Sequence, residues 1–379
     1  MKQVALLALA IGVIGSNSLA LSPMAAAVAA DFPTTRAADV MTASALYGAG
    51  VAVSALLLAP SIDRHDTGRH LVWALAVLAA ALALSSLAPS IVWLSGFQFL
   101  AGLAAGVALP AIYKLAAIIA PEGRESETLG WVLTGWTISM VAGVSASAWA
   151  AEAIGWRSVY LVLATLAGGI TLAVAMLRPK EEDRGDGTSG SLLAAISTPG
   201  LAGGLLVVIA YMTAFYGTYA YLGAHGSDLG LSTGRVGLLT MAYGVGFGLA
   251  APLDRFIDRL GARDAAAPVF AALIVVYLAI AAAADAFGTL IALSLFWGVV
   301  NHLGLNIALL RLRGLAPDRQ GAILGLYSFV TYAAMFLGTL AFRPVFERFG
   351  LAGCALAAAA ILIPSALEAA YLRRRKGSV

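Results

Sequence analysis

Long apolar runs alternate with short charged turns along the whole chain. Runs bounded by charge, proline or glycine occupy residues 4–30, 37–60, 71–88, 90–120, 129–151, 156–177, 199–224, 234–253, 265–284, 286–310, 321–342 and 351–372. Residues 71 to 113 contain no Asp, Glu, Lys or Arg, room for two spans of about 20 residues each. In hydrocarbon a segment must satisfy its own backbone hydrogen bonds, and Ala/Leu-rich runs of this length do so as helices. The pattern predicts an all-α membrane protein with twelve transmembrane helices.

The turns repeat as well. Asp63-Arg64…Gly68-Arg69 after the second run returns as Asp258-Arg259…Gly261-x-Arg263 after the eighth, the Asp-Arg pairs 195 residues apart. The same offset carries Arg124 to Arg319, Gly130 to Gly325, Met140 to Met335, Gly143 to Gly338 and Gly155 to Gly350, and Tyr47-Gly48-x-Gly50 recurs one residue out of register as Tyr243-Gly244-x-Gly246. Self-similarity at one long period implies two copies of a single unit. We expect two six-helix halves, residues 1–177 and 199–379, related by internal duplication. The polar, Gly/Ser-rich stretch 178–198 reads as the linker between them.

Composition agrees. Hydrophobic residues make up 61% and charged residues 11%, where a soluble domain carries roughly a quarter charged. One cysteine, Cys354, rules out an internal disulfide, and histidines scattered at 65, 70, 225 and 302 make no metal cluster. The 41 glycines suit close helix packing in lipid. Lys2 and the apolar run after it imitate a secretory signal, but the apolar character continues to Ala30 and the repeat needs a first helix there. With the N-terminus placed in the cytoplasm, seventeen Lys and Arg fall on that side and five on the other, leaving Lys114 inside a span. This bias puts both termini in the cytoplasm of a bacterial-type inner membrane.

Twelve spans, the duplication, the central linker and the paired Asp-Arg turns resemble the major facilitator superfamily. The family's loop pattern, roughly Gly-x-x-x-Asp-Arg-x-Gly-Arg-Arg/Lys, is kept at Asp63, Arg64, Gly68 and Arg69 and at Asp258, Arg259, Gly261 and Arg263, with Ala59 and Asp254 at the glycine position. The resemblance implies that these loops hold one of two alternating states; the alternative is that their charges only orient the helices. Gln98-Phe-Leu-Ala-Gly102-Leu-Ala-Ala-Gly106 resembles the fourth-span pattern of proton-coupled members, with Gln98 in place of its arginine. Met140-Val-Ala-Gly143-Val144 resembles the fifth-span exporter signature without its proline, and Gly155-Trp156-Arg157 is similar to the opening of the sixth span in bacterial efflux members. Gly244-Val-Gly246-Phe-Gly248 lies mid-span with no strand before it, so it is not read as a nucleotide site.

The resemblance implies that the first, fourth, seventh and tenth spans line a central cavity. Polar groups there are Asn17 in the first span, Gln98, Tyr113 and Lys114 in the fourth, and Asn301, His302 and Asn306 in the tenth. Tyr211, Phe215 and Tyr219 share one face of the seventh. Each has a plainer alternative: the aromatic stripe packs, the amides bond helix to helix, and Lys114 snorkels outward. No carboxylate lies mid-span, so the candidate proton carriers are His302, a residue type whose pKa suits the physiological range, Asp31 and Glu368, with pairing to the Arg373–Arg375 cluster as the plainer alternative for Glu368. No nucleophile–base pair or metal set can be assembled, so an enzyme is not expected, and neither is a cofactor or a nucleic-acid partner. The reading is a monomeric secondary transporter exporting a small amphipathic or apolar compound by alternating access, with protons in antiport. The alternative is symport or facilitated uptake of a small organic anion or sugar-like solute through Lys114 and the amides.

Overall fold

A computed structural model describes residues 2–58, 66–122, 124–177, 198–315 and 320–376. Nearly all of these are helical. The helices are α1 (Lys2–Ala30), α2 (Ala37–Leu57), α3 (Thr67–Ser86), α4 (Ile91–Ile118), α5 (Glu125–Ile138), α6 (Val144–Ile154), α7 (Trp156–Leu177), α8 (Leu201–Tyr219), α9 (Leu222–Asp228), α10 (Thr233–Leu249), α11 (Asp254–Leu260), α12 (Ala262–Ala282), α13 (Phe287–Arg313) and α14 (Gln320–Lys376). A π-helical turn, Ser139–Gly143, joins α5 to α6, and a 3-10 turn at Ala251–Leu253 joins α10 to α11. Among the described residues, eleven helical stretches are long and apolar enough to cross a membrane. The expected eleventh and twelfth runs form one element, α14, which departs from helical geometry at Gly350 (φ 63°, ψ −161°). Only glycine adopts that backbone without strain.

Local sequence explains the boundaries. Asp66 caps α3 by accepting from the Arg69 N–H at 3.0 Å, and Ser90 and Ser232 stand at the N-caps of α4 and α10. Gly155 (φ 87°) separates α6 from α7. Trp73, Leu87, Val92, Ile154, Met176, Leu249 and Leu367 stay largely exposed, an apolar outer surface that only lipid can cover. By contrast α1 is buried without a break from Val13 to Ala25. A helix apolar all round belongs in the middle of a bundle, and the N-terminal run is there, packed on α2, α5, α6 and α7.

The packing has a repeating logic. In the first part α2 crosses α4, α3 packs on α4 and α7, and α1 packs on α5; in the second, α10 crosses α13, α12 packs on α13 and α14, and α8 packs on α14. The crossings are tight. A Cβ on Gly102 would stand 2.1 Å from the Tyr47 carbonyl, and one on Gly298 would stand 2.0 Å from the Tyr243 carbonyl. Two further contacts join the parts, α2 on α14 and α10 on α6. There Gly48 lies against Met335, and Gly244 lies against the Met140 backbone.

Candidate functional site

Where α1, α2, α4, α8 and α14 converge, the side chains are phenols. Tyr216 of α8 is hydrogen-bonded to Ser18 of α1. Tyr47 of α2 and Tyr332 of α14 lie near Tyr216, and Tyr332 also lies near Tyr113 of α4 and Tyr327 of α14. Trp136 Nε1 donates to the Tyr113 hydroxyl at 3.4 Å. The Tyr47 hydroxyl is buried and has no hydrogen-bond partner, a donor and acceptor left over for a ligand or water. Both parts of the chain contribute to this cluster.

The aromatic stripe singled out by its spacing lies elsewhere. Tyr211, Phe215 and Tyr219 are all buried and turned into the second part. The Tyr211 hydroxyl donates to the Asn301 carbonyl at 2.6 Å, and the Phe215 ring stacks on Tyr243 (5.5 Å) and meets Trp297 (5.7 Å). Asn301 Nδ2 donates to the Tyr243 hydroxyl at 2.7 Å. Spacing identified one face of α8, but its neighbour Tyr216, off that face, is the residue that looks across to α1 and α2.

In the first part Asn17 Nδ2 donates to Gln98 Oε1 and Gln98 Nε2 donates to Ser85 Oγ, each at 3.1 Å, a buried relay through α1, α4 and α3. Asn17 Oδ1 has no partner. Lys114, one residue beyond Tyr113 on α4, is half-buried.

His302 and Asn306 of α13 converge on Asp254, the first residue of α11. The imidazole Nε2 lies 3.1 Å from both carboxylate oxygens, and Asn306 Nδ2 donates to Asp254 Oδ1 at 2.7 Å. Phe247 meets the imidazole edge-on at 4.8 Å. Sequence reasoning missed Asp254 as a site residue; its signal was the carboxylate standing at a loop-glycine position.

Of the loop residues, Asp63 and Arg64 lie outside the described residues. Gly68 and Arg69 open α3. Asp258 and Arg259 are exposed on α11, Gly261 takes φ 82°, and Arg263 donates twice to the Leu372 carbonyl (2.6 and 3.1 Å), tying α12 to the end of α14. Asp31, at the far end of α1, accepts from Trp156 Nε1 at 2.9 Å and pairs with Arg157. Glu368 pairs with Arg311 at 2.6 Å.

At the end of the bundle away from the chain termini, three seams join the two parts. Ser22 Oγ of α1 donates to the Tyr219 carbonyl at 2.6 Å, and Gly223 packs on the Ser22 carbonyl. Trp149 Nε1 of α6 donates to the Gly234 carbonyl at 3.1 Å while the Gly234 N–H donates to Glu152. Between α2 and α14, Arg36 meets Glu347 at 2.5 Å and Arg343 pairs with Asp39 and Glu347. Hydrogen bonding to Asp39, reinforced by Glu347, raises the Arg36 guanidinium further above its ordinary range, so it stays charged. From sequence these charges counted only toward topology, because no local pattern pairs residue 36 with 347.

A Major Facilitator Superfamily family model matches residues 6–339. The chain is also 24% identical to an uncharacterised MFS-type transporter, YwfA, of Bacillus subtilis (strain 168), over 98% of this chain and 93% of that protein. The multi-pass apolar helices agree with a membrane transporter and not an enzyme. The chain belongs to the Major Facilitator Superfamily.

Proposed function

We propose that this secondary transporter exports a small amphipathic or apolar compound by alternating access, coupled to protons in antiport. The carrying observation is the cluster of Tyr47, Tyr113, Tyr216, Tyr327 and Tyr332 between the two parts. Aromatic faces with hydroxyl edges suit a ligand that is largely apolar with a few hydrogen-bonding groups.

Counting α14 as two crossings either side of Gly350 gives twelve, and the matched crossings at Gly102 and Gly298 support two halves related by duplication. The excess of Lys and Arg at the termini end supports cytoplasmic termini and an inner-membrane location. The three seams then close the outer side, which is the inward-facing arrangement. Of the candidate carriers we favour His302, since Asp31 is held by Arg157 and Trp156 at the rim and Glu368 by Arg311. Lys114 beside Tyr113 favours a second reading, symport or facilitated uptake of a small organic anion or sugar-like solute.

Reconstitution in vesicles with an internal pH dye tests both. Proton flux triggered by lipophilic amphiphiles such as ethidium, and lost in Tyr216→Ala, supports export. Flux triggered only by organic acids and lost in Lys114→Ala supports the second reading, and silence with every compound sinks the proton-coupled one.

A further inference from the structure

We infer that Asp254 and His302 act as one proton-binding dyad whose accepting atom is His302 Nδ1; this deepens, and rests on, the reading of the protein as a proton-coupled transporter. The contact with Asp254 sets the tautomer we assign. Nε2 sits 3.1 Å from both oxygens of the Asp254 carboxylate, where a proton on Nε2 is attracted and a lone pair would face negative charge, and Asn306 Nδ2, 3.2 Å from the same nitrogen, gives its hydrogen to Asp254 Oδ1 at 2.7 Å instead. In the neutral ring the free lone pair is therefore on Nδ1, which is buried and has no hydrogen-bond partner. A hydronium ion gives its proton to Nδ1 and leaves as water, the Nε2–H keeps its hydrogen bond to Asp254, and the ring becomes a cation against a carboxylate that compensates it. Release reverses the step, with no other bond made or broken.

Among the described residues, the surroundings leave this pair to itself. The titratable groups that α8, α10 and α12 bring to α13 include Tyr211 and Tyr243, both engaged at Asn301, and Tyr219 and Tyr277, both against Trp297. From α14, Glu368 is held by Arg311 of α13 at 2.6 Å. On α11, Arg255, Asp258 and Arg259 point to the exterior. Asp254 is the carboxylate in contact with the imidazole.

The repeat shows that the site is an addition. Tyr47, Gly50 and Gly102 correspond to Tyr243, Gly246 and Gly298, and one turn further Val51 and Gly106 correspond to Phe247 and His302. In the first half a Cβ on Gly106 would stand 2.7 Å from the Val51 carbonyl, so backbone fills the crossing. In the second half the imidazole occupies that level, and the Asp254 carboxylate stands where the first half has Ala59. Asp254 also follows the 3-10 turn that ends α10, the helix that meets α6 in the outer seam. Charging the ring tightens its hold on Asp254 and so biases the bend between α10 and α11.

Selective 15N-histidine labelling of the purified full-length protein, with His302→Gln to assign the signal, reads the ring nitrogens directly between about pH 5 and pH 9. The expected result is an Nε2–H tautomer at high pH and one titration of His302. In Asp254→Asn its midpoint falls, because the compensating charge is gone. In Asn306→Asp the midpoint rises, a readout that survives if Asp254→Asn does not fold. A His302 ring that never titrates, an Nδ1–H tautomer, or a midpoint indifferent to both substitutions overturns the dyad. Vesicle flux separates this from the functional reading: proton flux with an untitrated His302 removes the dyad and keeps antiport, whereas a titrating His302 without proton flux removes its coupling role.

Discussion

Arg36, just ahead of α2, lies 2.5 Å from the Glu347 carboxylate on α14, and this pair bridges residues 311 apart in sequence. It belongs to a four-charge group with Asp39 and Arg343 at the end of the bundle away from the chain termini. Arg36 is 64% exposed and Glu347 32%, so solvent screens the pair and it contributes little to stability. On the proposed alternating-access cycle, its leverage is on the equilibrium between states. Glu347→Gln should leave the melting temperature nearly unchanged while raising, several-fold, the labelling of a Ser18→Cys reporter by an impermeant maleimide applied to the face away from the termini. Unchanged labelling would mean that the seam is held by the α1–α8 and α6–α10 contacts alone.

The tight crossing of α2 and α4 makes a sharp prediction about glycine. Gly102→Ala places a methyl where the Tyr47 carbonyl stands 2.1 Å away, and backbone cannot rotate aside as a side chain does. The helices must separate, at a cost of about 1–3 kcal/mol. Gly130→Ala is the control, since nothing lies within 4 Å of its Cβ. Thermal unfolding in detergent should separate the two; equal melting temperatures would contradict the crossing.

Phe215 and Tyr216 are adjacent but should behave differently. Phe215 packs among Tyr219, Tyr243 and Trp297, so Phe215→Ala should lower stability by about 3–5 kcal/mol. Tyr216 faces the junction, so Tyr216→Ala should weaken binding of an amphipathic ligand roughly tenfold, about 1.4 kcal/mol, with a smaller loss of stability. Ligand-induced shifts in melting temperature read both effects together. A Tyr216→Ala protein that binds as tightly as wild type would move the site away from the phenol cluster.

Gln98 donates and accepts inside a fully buried relay. Gln98→Ala strands the Asn17 amide away from water, while the Ser85 hydroxyl keeps its bond to the Ala81 carbonyl, for a loss of about 1–3 kcal/mol. The companion change Asn17→Ala in the same protein should cost less than it does alone, because the group it would strand is already gone. A double-mutant cycle on chemical unfolding measures that coupling, and strict additivity would argue against the relay.

Much of the fold was legible. Run lengths and charge placement located the membrane helices, and most boundaries at Pro, Gly or an N-cap residue such as Ser90 or Ser232 lie within a few residues of those expected. Run lengths did not reveal that α5 and α6 are joined by a π turn, that the eighth run breaks at Ala251–Leu253, or that Gly350 bends one long element. Hydropathy averages over a window and is blind to a single residue's backbone angles.

The sequence by itself determined that this is a membrane helix bundle, because lipid imposes run length and internal hydrogen bonding on any chain that crosses it. Tertiary structure alone decided which polar residues meet. Helical spacing says that Tyr211, Phe215 and Tyr219 share a face but not which neighbour that face meets. It placed His302 and Asn306 on one side of α13 without disclosing that Asp254, 48 residues earlier, closes the group. Such pairings depend on the rotation of each helix about its axis, which is set by close contacts such as Gly102 on Tyr47 and Gly298 on Tyr243 and by no local pattern in the chain.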